Sequence, residues 1–166
     1  MSSQSPGPAN IALRPVGPDD NEFLREVYGS TRADELALTP WTDEQRQAFI
    51  LHQFTAQQAH YSQNYPTASH DIILADGRQV GRFYVARLER EIRIIDLTLL
   101  PHERNTGIGS YLIRQLLVEA GRTKQSVRIW VEEFNPSLRL FERLGFTRSE
   151  QQGIHLLLVW TTDSNG

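Results

Sequence analysis

The chain has 166 residues, the size of one domain, and its lack of cysteine excludes disulfides and thiolate metal sites, which fits a reducing cytoplasm. Its net charge of -3 at neutral pH, with acids and bases interspersed, supplies no broad basic face for nucleic acid. No apolar run approaches membrane-spanning length, and no internal repeat or low-complexity tract is present.

Residues 1–10 are polar and rich in Ser, Pro and Gly, and read as a disordered leader. Ile11 to Pro15 suggests a first strand, and Pro18-Asp19-Asp20 supplies a start for a helix over Asn21 to Tyr28. Asp43 is the expected N-cap of a longer helix from Glu44 to about Asn64, stopped by Pro66. Asp71 to Ala75 and Val80 to Leu88, joined through Asp76-Gly77, form a predicted hairpin whose turn suits positive backbone angles. The strand Ile92 to Leu99 continues this meander. Pro101 closes it.

A helix is expected from about Gly107 to Ala120, because Ile108, Leu112, Leu116 and Ala120 repeat every four residues before Gly121. Val127, Ile129 and Val131 then alternate with Arg128 and Trp130 as a strand. Asn135 as cap, Pro136 in the first turn and Gly145 at the end frame another helix, with Leu138, Phe141 and Leu144 inward. Phe146 and His155 to Trp160 supply the last strand. The order implies one mixed α/β (α+β) domain over residues 11–162, helices on both faces of one sheet, and a flexible tail at 163–166.

Between the strand ending at Leu99 and the helix after it lies Arg104-Asn105-Thr106-Gly107-Ile108-Gly109. Two glycines let the backbone turn tightly, and the first free N–H groups of a helix carry the positive end of its dipole. Such a turn is a site for phosphate, or a bare strand-to-helix connection. A dinucleotide fingerprint needs a third glycine where Leu112 stands, and a P-loop needs Gly-Lys-Ser/Thr; both are missing.

These residues resemble the GNAT superfamily of acetyl-coenzyme A dependent N-acetyltransferases. Its motif, Arg or Gln, two free positions, Gly, one free position, then Gly or Ala, is met by Arg104, Gly107 and Gly109. The likeness extends to Leu97-Thr98-Leu99-Leu100-Pro101 before the loop and to Asn135 through Leu144-Gly145-Phe146 after it. It implies a mixed, mostly antiparallel GNAT-like sheet. It also implies acetyl-CoA as acyl donor, with the amides of Arg104, Asn105, Thr106, Gly107, Ile108, Gly109 and Ser110 on the pyrophosphate. Pantetheine would run beside Leu97, Thr98 and Leu99, where that strand splays from Val127 to Val131. Asn135 would touch the cofactor arm or only cap its helix, and Arg143 would reach the cofactor or stay solvated.

Acetyl transfer to an amine needs a neutral amine, donors for an oxyanion and a proton for the leaving thiolate. The resemblance assigns the oxyanion to the backbone N–H of Leu99 or its neighbour. The tyrosine that commonly gives the proton corresponds to Phe141, which has none and would only line the cofactor site. Tyr61, Tyr65, Tyr84 and Tyr111 are alternatives by residue type only. Asp96 is the first candidate for the base, placed on a strand face with Ile92 and Ile94, where desolvation favours a raised pKa. Its other reading is a structural ion pair with Arg93 or Arg128. Glu132 and Glu133 come next.

The resemblance places acceptor recognition in Asn21 to Tyr65. Gln53, Gln57 and Tyr61 recur every four residues there, either lining a polar pocket walled by Trp41 or leaving the glutamines in water. His60 is a base by type or a surface residue. His52, His70, His102 and His155 lack acidic or cysteine partners at metal-like spacing, so no metal is expected. The expected partner is a small-molecule, peptide or protein amine, with no nucleic acid or membrane, and a homodimer is in keeping with the family. The competing reading is a catalytically weak protein that keeps the fold and binds an acyl-CoA as a ligand or signal. A third, an acylating toxin acting on charged transfer RNA, lacks a basic surface.

Overall fold

A computed structural model describes residues 10–162, so the expected leader, but for Asn10, and tail lie outside the described residues. The strands are β1 (Ile11–Pro15), β2 (Ser69–Ala75), β3 (Arg78–Arg87), β4 (Glu91–Leu99), β5 (Ser126–Glu132), β6 (Thr147–Gln152) and β7 (His155–Trp160). The helices are α1 (Asn21–Ala37), α2 (Asp43–Asn64), α3 (Ile108–Thr123) and α4 (Leu138–Arg143). The seven strands form one sheet in the order β1-β2-β3-β4-β5-β7-β6. Only the β4 and β5 pair is parallel; all the other pairs are antiparallel.

Alternation along the strands sends side chains to two separate cores. Ile73, Phe83, Val85, Ile92, Ile94 and Val127 meet Ile113 and Leu116 of α3 and Phe141 of α4 on one face. Ile72 meets Leu24 and Tyr28 of α1 and Ile50 and Phe54 of α2 on the other. Helices therefore cover both faces, as expected.

Several boundaries differ from the sequence reading, each for a local reason. Helix α1 runs through Gly29-Ser30-Thr31 to Ala37, because Leu36 packs into the same core as Leu24 and Tyr28, while the Ser30 and Thr31 hydroxyls donate to the carbonyls of Val27 and Tyr28 within the helix. Thr42, not Asp43, caps α2: its hydroxyl accepts from the Gln45 amide while the Gln45 side-chain oxygen accepts from the Thr42 amide. Helix α3 continues through Gly121 to Thr123 and ends on Lys124, which takes the left-handed conformation. Helix α4 starts at Leu138, after Asn135 has made a separate turn. Strand β6 was not foreseen, since all its residues are exposed and show no apolar alternation.

Candidate functional site

Strands β4 and β5 pair only from Glu91↔Ser126 to Ile94↔Ile129, although β4 continues to Leu99 and β5 to Glu132. A gap therefore opens beyond Ile94. On the other edge β4 stays paired to β3, where the Leu100 amide donates to the Val80 carbonyl at 2.9 Å. Strand backbone groups alternate in direction, so Thr98 also points at β3, while Leu97 and Leu99 turn their N–H and C=O into the gap. The Leu99 carbonyl accepts from Arg104 Nε at 3.1 Å, and its N–H stays directed into the opening.

The loop at the end of β4 is held from below. Glu103 is buried and accepts from Arg78 at 3.0 Å, and its carbonyl accepts the Thr106 hydroxyl at 2.6 Å. Asn105 and Gly107 adopt φ of +62° and +91°. The Arg104 amide, expected in the free set, donates instead to the Pro101 carbonyl at 3.3 Å, whereas among the described residues the amides of Asn105, Thr106, Gly107, Ile108, Gly109 and Ser110 donate to no backbone carbonyl; the next partnered amide is Tyr111, bonded to the Gly107 carbonyl at 3.0 Å. Consecutive free donors at the start of a helix are the kind of group that suits an anion. Ile108 and Gly109 are buried and anchor the turn, with the Cβ position of Gly109 in ordinary contact with Leu140.

Asn135 and Arg143 are exposed, on the α4 side. Asn135 Oδ1 accepts from the Ser137 amide and hydroxyl, both at 2.8 Å, so the side chain organises the turn before α4 and does not cap the helix itself. It borders a cavity of about 360 Å³ with Glu133, Phe134 and Leu138. Phe141 lies in the core, 2 % exposed, edge-on to Phe146 at 5.2 Å. A larger groove, about 500 Å³ between β1 and α3, contains none of the expected site residues except Tyr111.

Asp96 is not on the face of Ile92 and Ile94. The register slips by one residue at Ile95, so Tyr84 pairs with Asp96 while Val85 pairs with Ile94. The bulge reverses the alternation: Leu97 and Leu99 rejoin the core under α3, and Asp96 and Thr98 turn to the α2 side. Its ion-pair partner is neither Arg93 nor Arg128, which lie by Glu91, but Arg82 of β3. Asp96 Oδ2 accepts from Arg82 Nε at 2.6 Å and Oδ1 from the Thr98 hydroxyl at 2.8 Å.

An aromatic cluster surrounds this pair. Tyr61 stands edge-on to Tyr84 at 5.3 Å, and His70 stacks on Tyr84 at 4.1 Å. Burial, followed by the charge of Asp96, pushes the Tyr61 hydroxyl up to about 12, so it keeps its proton at neutral pH. Burial and then Arg82 push His70 down to about 4, and its Nε2 has no partner. Gln57 is turned inward with Tyr61. His60 and Trp41 are exposed. No group of acidic and imidazole side chains suited to a metal occurs among the described residues, and none of their helices is long and apolar enough to cross a membrane.

Sequence reasoning missed Arg82, Gln58 and Glu103. Arg82 carried a signal: it interrupts the otherwise apolar run from Val80 to Ala86, and a charge inside such a strand demands a partner.

No curated protein sequence matches the chain. Its fold recurs in the crystal structure of PaiA N-acetyltransferase from Thermoplasma acidophilum in complex with coenzyme A, at 17 % identity and TM-score 0.69, covering 92 % of this chain and 99 % of that one. An acetyltransferase from Thermus thermophilus gives 14 %, 0.66, 93 % and 99 % for the same four measures. A GCN5-related N-acetyltransferase from Rhodopseudomonas palustris gives 17 %, 0.63, 97 % and 99 %. These likenesses are of fold. The model of the acetyltransferase (GNAT) family matches residues 30–146, a span that runs from within α1 through α2, the splayed strands, the free-amide loop and α4. With well over half its length matched in this way, the chain belongs to the GNAT acetyltransferase family.

Proposed function

We propose that this protein transfers an acetyl group from acetyl-CoA to a primary amine of a small molecule, peptide or protein, by direct attack with both substrates bound, in a cytoplasmic setting. The observation that carries the reading is the run of six free amides from Asn105 to Ser110 beside the gap between β4 and β5. That donor set fits a pyrophosphate, and the Leu97 and Leu99 edge beside it fits an extended amide-bearing chain. The coenzyme A in the Thermoplasma structure agrees with this choice of ligand.

When bound, acetyl-CoA supplies an activated thioester. The loop amides from Asn105 to Ser110 bind its phosphates, and Arg104 stiffens the strand end through the Leu99 carbonyl. Leu97 offers its backbone groups to pantetheine, and the Leu99 N–H is placed to stabilise negative charge that develops on the acyl oxygen. Asp96, fixed by Arg82 and Thr98, has lone pairs left to accept an amine N–H at the edge of the gap. Phe141 donates no proton, so the leaving thiolate takes one from the attacking amine or from water and departs as the free thiol.

Calorimetry with acetyl-CoA and assay of free thiol released with a panel of primary amines test this together. Binding with amine-dependent thiol release is expected. Tight binding with no turnover on any amine would favour the acyl-CoA-binding reading, which the proton-free Phe141 supports.

A further inference from the structure

Arg82 is 1 % exposed, in the middle of β3, and three of its guanidinium N–H groups reach three different side chains. Nε donates to Asp96 on β4 at 2.6 Å, Nη1 to Gln58 at 2.8 Å and Nη2 to Gln57 at 2.6 Å, the last two on α2. The guanidinium also lies 6.0 Å from the centre of the Tyr61 ring. Burying a cation in this way is costly, and a hydrophobic replacement of similar volume is often as stable, so fold stability alone gives little reason for it. Its position is more telling. Asp96 is the first β4 residue after the bulge at Ile95, beyond the last pairing with β5 at Ile94↔Ile129, so the clamp stands at the mouth of the gap.

We propose that Arg82 is a positioning residue for the acceptor: it locks α2, the acceptor-side wall, to the open half of β4 and fixes the Asp96 carboxylate between them. The planar fork is what allows one side chain to hold both elements at once, and a lysine retains the charge without the fork. Thr98 fixes the second oxygen of Asp96, so the carboxylate has one orientation in which to meet an amine. The proposal rests on the acetyl-transfer reading given above.

The test compares the wild type with Arg82→Lys and with the double variant Gln57→Leu/Gln58→Leu, which leaves the bond between Arg82 and Asp96 in place. The probes are acetyl-CoA and the amine that the wild type turns over best. In both variants the dissociation constant for acetyl-CoA should stay within about twofold, and the KM for the amine should rise roughly tenfold or more, with a smaller fall in kcat. An unchanged amine KM in both overturns the proposal, as does loss of acetyl-CoA affinity in step with amine KM. If Arg82→Lys does not fold, the glutamine variant decides by the same criteria. If the wild type binds no acetyl-CoA or releases no thiol, the functional reading itself fails, and hydrogen exchange then judges the clamp. Selective loss of protection by about tenfold over Phe54 to Tyr61, with α3 unaffected, supports it, and unchanged protection there overturns it.

Discussion

Gly107 offers the most discriminating single substitution, because its conformation and its proposed role are separable. At φ of +91° a Cβ is disfavoured, and Gly107→Ala should cost about 1–2 kcal/mol if the backbone holds its shape. For a protein of this length that is a fall in Tm of roughly 2–8 °C. The alternative is that φ relaxes to a negative value, which turns the free amides on either side of Gly107 away from a common centre. A hydrogen bond to a charged group contributes about 1.5–3 kcal/mol, so misdirecting two of them weakens coenzyme A binding by about 100-fold or more. Gly77 is the control: its φ is +84°, no atom lies within 4 Å of its Cβ position, and it sits in the β2–β3 turn outside the loop, which its neighbour Arg78 touches only through the side chain, at Glu103. Thermal unfolding and calorimetry with coenzyme A should show both alanine variants destabilised alike and only Gly107→Ala impaired in binding. Affinity within about twofold of wild type in Gly107→Ala, or an equal loss in Gly77→Ala, refutes the assignment of the loop.

Phe141→Tyr should not restore a proton donor: the ring is 2 % exposed among apolar neighbours, and a hydroxyl without a partner there costs about 1–3 kcal/mol, read as a lower Tm with no gain in kcat. The ring of His70 should titrate by NMR near 4 and not near 6.5. Between these values the unfolded chain takes up a proton that the folded chain refuses, so stability falls as pH drops through that window. In His70→Phe this part of the pH dependence of unfolding should vanish; a slope identical to wild type contradicts the assigned burial.

Much of the fold was legible because its elements carry strong local signals. The Asp76-Gly77 turn, the four-residue spacing from Ile108 to Ala120 and the alternation from Val127 to Val131 all agree with their tertiary surroundings. The opening between β4 and β5, expected from the family resemblance, is where pairing stops at Ile94. Strand β6 was illegible since an exposed edge strand of polar residues has no period to detect. The face of Asp96 departs from simple alternation for a sharper reason: the one bulged residue at Ile95 inverts everything after it. The same slip hid Arg82, whose partners on β4 and α2 are far apart in sequence and are brought together only by that inversion.

Titration of coenzyme A into isotopically labelled protein, followed by amide NMR, reports on the loop and the β4 edge residue by residue. The largest shifts are predicted at Asn105 to Ser110, with a second set at Leu97 and Leu99, where N–H groups face the gap. Absence of binding, or shifts centred on the groove of Leu13, Tyr111 and Val118 between β1 and α3, would contradict the account.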